Sequence, residues 1–104
     1  MRRPVTWSRE ALDDIKEQVA FIAQDNPAAA RQVADRIRDV GKALGDMVTG
    51  RPGRVTGTYE KSLARLPYII AYEVRPIVGG ESVVIVRVIH TARDWQAESW
   101  PQEH

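Results

Sequence analysis

The sequence predicts an α+β domain of order β-α-α-β-β-β, with a twisted antiparallel sheet packed against an N-terminal helical hairpin. Three observations predict it. Apolar residues recur at intervals of three and four through the first half of the chain, while short β-branched runs fill the second half. Between them stands Thr49-Gly50-Arg51-Pro52-Gly53, a loop by turn chemistry.

Pro4-Val5-Thr6-Trp7 reads as a short first strand. Ser8 is placed to cap a helix, with Glu10 favourable in its first turn. Leu12, Ile15, Val19 and Ile22 then form one helical stripe. Asn26-Pro27 restarts the pattern, Asn capping and Pro taking the first helical position. Ala30, Val33, Ala34, Ile37, Val40, Gly41 and Leu44 continue it for roughly five turns. So short a link makes the two helices an antiparallel hairpin. Each Val, Leu or Ile they bury stabilises by roughly 1.5–3 kcal/mol. Gly45 and the following loop end the helical part, and strands are expected over 58–63, 68–75 and 82–90. Val78-Gly79-Gly80-Glu81 is a hairpin signal. This architecture covers one sheet face with helices and leaves the other partly open.

A chain of 104 residues supports one core. The domain is placed at 1–95, with 96–104 as a C-terminal tail; no role is assigned to His104. A net charge of +1 gives no global field toward nucleic acid or membrane, and without cysteine there is neither a disulfide nor a thiolate metal site. No apolar run approaches the ~18 residues a membrane span needs. Two arginines follow Met1 without an apolar region behind them, so the cytoplasm is the expected compartment. Charge is uneven along the chain: residues 48–75 carry Arg51, Arg54, Lys61, Arg65 and Arg75 against Glu60 and Glu73, a net of +3. This third favours an anionic partner or is simply a solvated patch.

Functional candidates gather at the last strand, an apolar run interrupted by Arg87, ended by His90 and followed by Thr91-Ala92-Arg93-Asp94-Trp95. Strict alternation puts Val84, Val86, Val88 and His90 on one face, and Arg87 with Ile85 and Ile89 on the other. A Gly79-Gly80 turn sets Arg87 opposite Tyr72, for stacking; a register one residue away sets it opposite Glu73, for an ion pair. An arginine in mid-strand is costly to bury alone, so it is paired or faces a partner. His90 reads first as a hydrogen-bonded structural residue and second as an acid or base. No second histidine or close carboxylate pair accompanies it, so no metal is expected, nor any cofactor. Asp94 is placed to pair with His90 or Arg93. No phosphate loop or Ser/Cys nucleophile arrangement is present. Trp95 and Trp100 belong to a segment that packs across the domain or against a partner.

These residues resemble the RelE/ParE superfamily of type II toxin–antitoxin toxins, the ParE branch in particular. The resemblance is carried by Trp7-Ser8 with Ala11-Leu12-Asp13-Asp14-Ile15, and by Asn26-Pro27-Ala28. It continues in Arg65-Leu66-Pro67-Tyr68-Ile69-Ile70-Ala71-Tyr72-Glu73-Val74 and Val88-Ile89-His90-Thr91-Ala92-Arg93-Asp94, and covers residues 4–95. It implies a small toxin of the plasmid-stabilising kind, held in a hetero-oligomer by a ParD-like ribbon-helix-helix antitoxin. ParE-like members inhibit DNA gyrase, whereas RelE-like members cut mRNA on the ribosome. Carried over, the ribonuclease role would fall on Arg65, Arg87 and His90. The sequence departs from that branch at the tyrosine near its end, where Thr91 and Trp95 stand. Cleavage at a 2′-OH needs base, acid and charge stabilisation together. The favoured expectation is therefore a gyrase-binding toxin; the alternatives are the ribonuclease and an inactive binding module. Partner contacts are expected at Arg65, Tyr72, Arg87, His90, Arg93, Asp94 and Trp95. Apolar surface on the hairpin and sheet edge should exceed what a monomer tolerates.

Overall fold

The computed structural model describes residues 2–91. Its elements are β1 (Val5–Trp7), α1 (Arg9–Ala23), α2 (Pro27–Asp46), β2 (Arg51–Pro52), β3 (Tyr59–Ser62), β4 (Tyr68–Ile77) and β5 (Gly80–His90). The five strands form one sheet in the order β1-β5-β4-β3-β2. The α+β class and the strand-helix-helix-strand order are as the sequence predicts, with two refinements. β1 pairs with β5 in parallel, through Val5–Val83, Thr6–Val84 and Trp7–Ile85, so the sheet is mixed. The Gly/Pro-rich loop also contributes the short edge strand β2, antiparallel to β3. Pro52 is tolerated there because an edge strand can spare one donor.

Both helix starts carry the expected caps. Ser8 Oγ accepts from Ala11 N–H at 3.0 Å, and Asn26 Oδ1 accepts from Ala29 N–H at 3.1 Å. On α2 the buried residues are Ala30, Ile37, Gly41, Leu44 and Gly45, and the helix runs through Gly45 to Asp46 instead of stopping there. On α1 the buried face is turned from the expected stripe: Ala11 and Gln18 are buried, while Leu12 is 47% exposed. The reason is a close approach to β5, which accepts only a small side chain at Ala11. The helix-side core joins Ala11, Ile37 and Leu44 to Tyr68, Ile70, Tyr72, Val83, Ile85 and Val88.

The β4–β5 register corrects the expected one. Ile77 pairs with Gly80, so the two-residue turn is Val78-Gly79, with Gly79 at φ +86. A bulge then intervenes: Tyr72 pairs with Ile85 and Ala71 with Arg87, leaving Val86 as the extra residue. Arg87 therefore faces Ala71, neither Tyr72 nor Glu73. Strict alternation also fails. Val83, Ile85 and Val88 join the helix-side core, whereas Val86 and Ile89 lie in a second cluster with Ile69 and Ala71, against which Val55 and Val84 pack. The outer face is thus a small apolar core, less open than expected.

α2 crosses the sheet closely at Gly41. A β-carbon there would lie 2.4 Å from Trp7 Cζ2 and 2.9 Å from Ile85 Cδ1. On an exposed helix Gly→Ala would gain up to about 1 kcal/mol; at Gly41 the overlap reverses the sign. Gly41→Ala should destabilise by roughly 1–3 kcal/mol, as overpacking does. Urea denaturation of the two proteins measures it, and a stabilised variant would contradict the packing.

Candidate functional site

β1 covers β5 only from Val83 to Ile85, so the next backbone groups on that edge need partners. The start of α1 supplies them. Ser8 N–H donates to Ile85 O at 2.8 Å, and Ser8 Oγ donates to Val86 O at 2.9 Å. Six residues further along, Asp14 Oδ2 accepts from Val88 N–H at 2.9 Å. The same carboxylate clasps Arg87, from Nε at 2.8 Å and Nη2 at 3.0 Å. The hydrogen bond to Asp14 raises the Arg87 pKa; burial works against it, and the charges of Asp14, Glu10 and Glu17 add to it. Glu10, Asp14 and Glu17 recur along one side of α1, so Arg87 lies in an acidic strip. Its charge is compensated from within the fold.

The other expected site residues fall into three groups. Tyr72 is fully buried, and its hydroxyl donates to Thr49 O while its ring stacks on Tyr59 at 5.6 Å. Burial, with the adjacent Tyr59, raises its pKa. It is a core residue, removed from any partner-facing surface. His90 and Arg65 share one end of the sheet. His90 pairs with Tyr68 in the ladder and meets its ring edge-on at 5.2 Å, and Tyr68 Oη in turn donates to Gln18 Oε1 at 3.4 Å. Arg65 is exposed in the loop between β3 and β4 at φ +65, alone among described non-glycine residues in the left-handed region. With Arg36 it flanks a groove of about 380 Å³ whose apolar lining includes Ala29, Val33 and Leu66. Arg93, Asp94 and Trp95 lie outside the described residues.

Two features escaped the sequence reading. A groove of about 710 Å³ runs between the helices, lined by Trp7, Leu12, Ile15 and Ala34 together with Arg9, Asp13, Lys16 and Arg38. Its signal was present in the apolar stripe of α1, but the direction in which that stripe faces was not. The second is the burial and pairing of Glu60 within the basic third. Its carboxylate accepts from Arg54 N–H at 3.0 Å and from Arg54 Nε at 3.1 Å, with Arg51 3.9 Å away. Arg54, and more loosely Arg51, are therefore engaged from inside the fold. Burial pushes the Glu60 carboxyl pKa up, but the two Arg54 hydrogen bonds and the charges of Arg54 and Arg51 outweigh it, leaving the pKa below the ordinary 4.5.

Two stability measurements follow from these contacts. Asp14→Ala removes three hydrogen bonds and strands the Val88 N–H, at a cost of about 1–3 kcal/mol; Asp14→Asn keeps one acceptor and should cost less. Denaturant titration at neutral pH reports both. Because the folded pKa of Glu60 is depressed, its contribution is fully present above about 4.5 and is lost as pH falls through the folded value. Glu60→Gln should consequently lose less stability than the parent as the pH is lowered from neutral through 4.5 and below. Parallel slopes over that range would remove Glu60 from the account.

Comparison with known proteins places this geometry. Residues 5–95 match the model of the ParE toxin of the type II toxin–antitoxin system parDE. A putative toxin, Y4kP, of Sinorhizobium fredii is 37% identical over 95 residues, covering 90% of this chain and 94% of the relative. Toxin RelE2 of Caulobacter vibrioides is 32% identical over 89 residues, covering 86% and 96%. A solved chain of the chromosomal ParDE system from P. aeruginosa superposes with a TM-score of 0.74 at 22% identity, covering 86% of this chain and 96% of that one. Among the described residues no helix is long and apolar enough to cross a membrane. The chain belongs to the ParE toxin family of type II toxin–antitoxin systems.

Proposed function

We propose that this chain acts in the cytoplasm as a toxin that inhibits DNA gyrase by binding it, and that a ParD-like ribbon-helix-helix antitoxin neutralises it. The observation that carries this over the ribonuclease reading is the state of Arg87. Phosphoryl chemistry on RNA needs a cation free to meet developing negative charge. Arg87 already donates both Nε and Nη2 to Asp14, with the charges of Glu10 and Glu17 nearby. A phosphate arriving there would meet three carboxylates. Of the three residues a ribonuclease would require, Arg65, Arg87 and His90, Arg87 is committed to the fold, and His90 rests on the Tyr68 ring.

The groove between α1 and α2 is the surface we assign to the antitoxin. It has an apolar floor, an exposed Leu12 and a predominantly basic rim, which suits an amphipathic helix with acidic flanks. Expression of the chain alone in bacteria should cause filamentation with DNA breaks, and the purified protein should inhibit supercoiling by gyrase. Rapid translational arrest with cleaved mRNA would overturn the gyrase reading in favour of the ribonuclease. Normal growth with no effect on gyrase would leave only a binding module. For the antitoxin surface, Leu12→Asp should weaken antitoxin binding about tenfold or more, as loss of an interface anchor does, without altering the melting temperature. Unchanged affinity would place the antitoxin elsewhere.

A further inference from the structure

The groove between the first half of α2 and the β3–β4 loop differs from the one between the helices in its charge. Ala29, Val33, Ala64 and Leu66 make its apolar floor, in a cavity of about 380 Å³. Val33 and Leu66 also pack against the helix-side core, so the floor is fixed by the fold. Arg36 and Arg65 flank it, both exposed, and neither makes an ion pair or hydrogen bond among the described residues. No carboxylate is among the residues that line it. The groove between the helices includes Asp13, and its Arg38 is already held by Asp35.

The loop presents Arg65 at a conformational cost. Leu66 N–H donates to Leu63 O at 3.4 Å, which makes Leu63–Leu66 a turn with Arg65 as its third residue, at φ +65. A positive φ at that position ordinarily selects Gly or Asn. Leu63 N–H, bonded to Tyr68 O at 3.0 Å, closes the loop behind the turn. Backbone strain held in this way collects at surfaces that bind. The two grooves also lie apart. On the wheel of α2 the buried stripe of Ala30, Ile37, Gly41 and Leu44 runs between them. Ala34 and Arg38 line one groove on one flank, and Ala29, Val33 and Arg36 line the other on the opposite flank. A segment seated in one therefore does not occupy the other. An apolar floor between two guanidinium groups suits a peptide with an apolar anchor and adjacent carboxylates, which arginine can hold bidentately. A nucleic-acid backbone calls for a longer row of cations and would leave the floor uncovered.

We propose that the groove flanked by Arg36 and Arg65 docks an acidic peptide segment of the toxin's target, and that target and antitoxin meet opposite flanks of α2. The identity of that target, gyrase, rests on the function proposed above. The test is inhibition of supercoiling by purified gyrase. Arg65→Gly suits the left-handed backbone, and Arg36→Ala changes an exposed helix position, so the double variant should keep its melting temperature. It should need about tenfold or more protein for half-inhibition, as loss of interface anchors requires. Ala64→Glu, which sets a carboxylate in the same groove, should act in the same direction. Arg31→Ala removes an exposed cation of α2 outside both grooves and should leave inhibition unchanged. A parent chain without effect on supercoiling overturns the gyrase reading and this occupant with it. A parent that inhibits and a double variant that inhibits equally overturn the groove alone. Equal weakening by Arg31→Ala would reduce the effect to net charge and overturn it as well. Lost antitoxin affinity with gyrase inhibition intact would give the groove to the antitoxin, and weakened binding to bare plasmid DNA alone would make the ligand nucleic acid.

Discussion

The constraint on which the rest of the structure depends is the open edge of β5. This strand pairs with β4 along its whole length but with β1 over only three residues. Past Ile85 the edge still presents polar backbone groups, and an unsatisfied buried one costs about 1–3 kcal/mol. Ser8 and Asp14 complete the edge in the manner of a strand, so α1 must lie close against it. That closeness explains why Ala11 is fully buried and why Leu12 is displaced into the groove between the helices. It also gives Arg87 a reason to exist. A partly buried carboxylate committed to a backbone amide needs a counterion, and Arg87 supplies it from the same strand.

The bulge at Val86 makes this arrangement possible. Without it, strict alternation would place Arg87 on the helix-side face with Val83 and Ile85, among Ile37, Leu44 and Tyr72. The extra residue changes the parity of the strand, so Val88 resumes the helix-side core while Val86 and Ile89 build the outer one. An eleven-residue strand can thereby be apolar on both faces and still carry one arginine. Edges and bulges are where sheets commonly redirect a side chain.

How much of this was legible in the sequence depends on the range of each interaction. Caps at Ser8 and Asn26, the Pro27 start and the α2 stripe are local, and the residues alone placed them. The parallel pairing of β1 with β5 spans nearly the whole chain, and no local pattern records its direction. The bulge was hidden because a run of β-branched residues looks the same in either parity. Along the sequence the site is a set of polar residues around Arg87 and His90. That Arg87 needs a partner follows from burial cost, but no local pattern ties it to Asp14, on a helix 73 residues earlier. Tyr72 looked available only because alternation cannot show that a loop carbonyl, at Thr49, waits for its hydroxyl.

One fold serving unrelated targets requires that function be argued from the charges left over once the fold is satisfied. Here part of the charge is taken up inside the fold. Asp14 takes Arg87, Glu60 takes Arg54, and Glu73 takes Arg75 at 2.8 Å. Arg65 has neither an ion pair nor a hydrogen bond among the described residues, and its backbone occupies a left-handed conformation that a β-carbon disfavours by roughly 1–2 kcal/mol. Such strain persists where the surrounding loop over-determines it, and it tends to collect at surfaces that do work. Leu63 N–H bonded to Tyr68 O, and Leu66 N–H to Leu63 O, close that loop tightly enough to hold it. Presented cations beside an apolar groove, here Arg65 and Arg36, recognise an acidic protein surface more readily than they catalyse a proton transfer. The charges left over thus support the proposed reading of a toxin that works by binding.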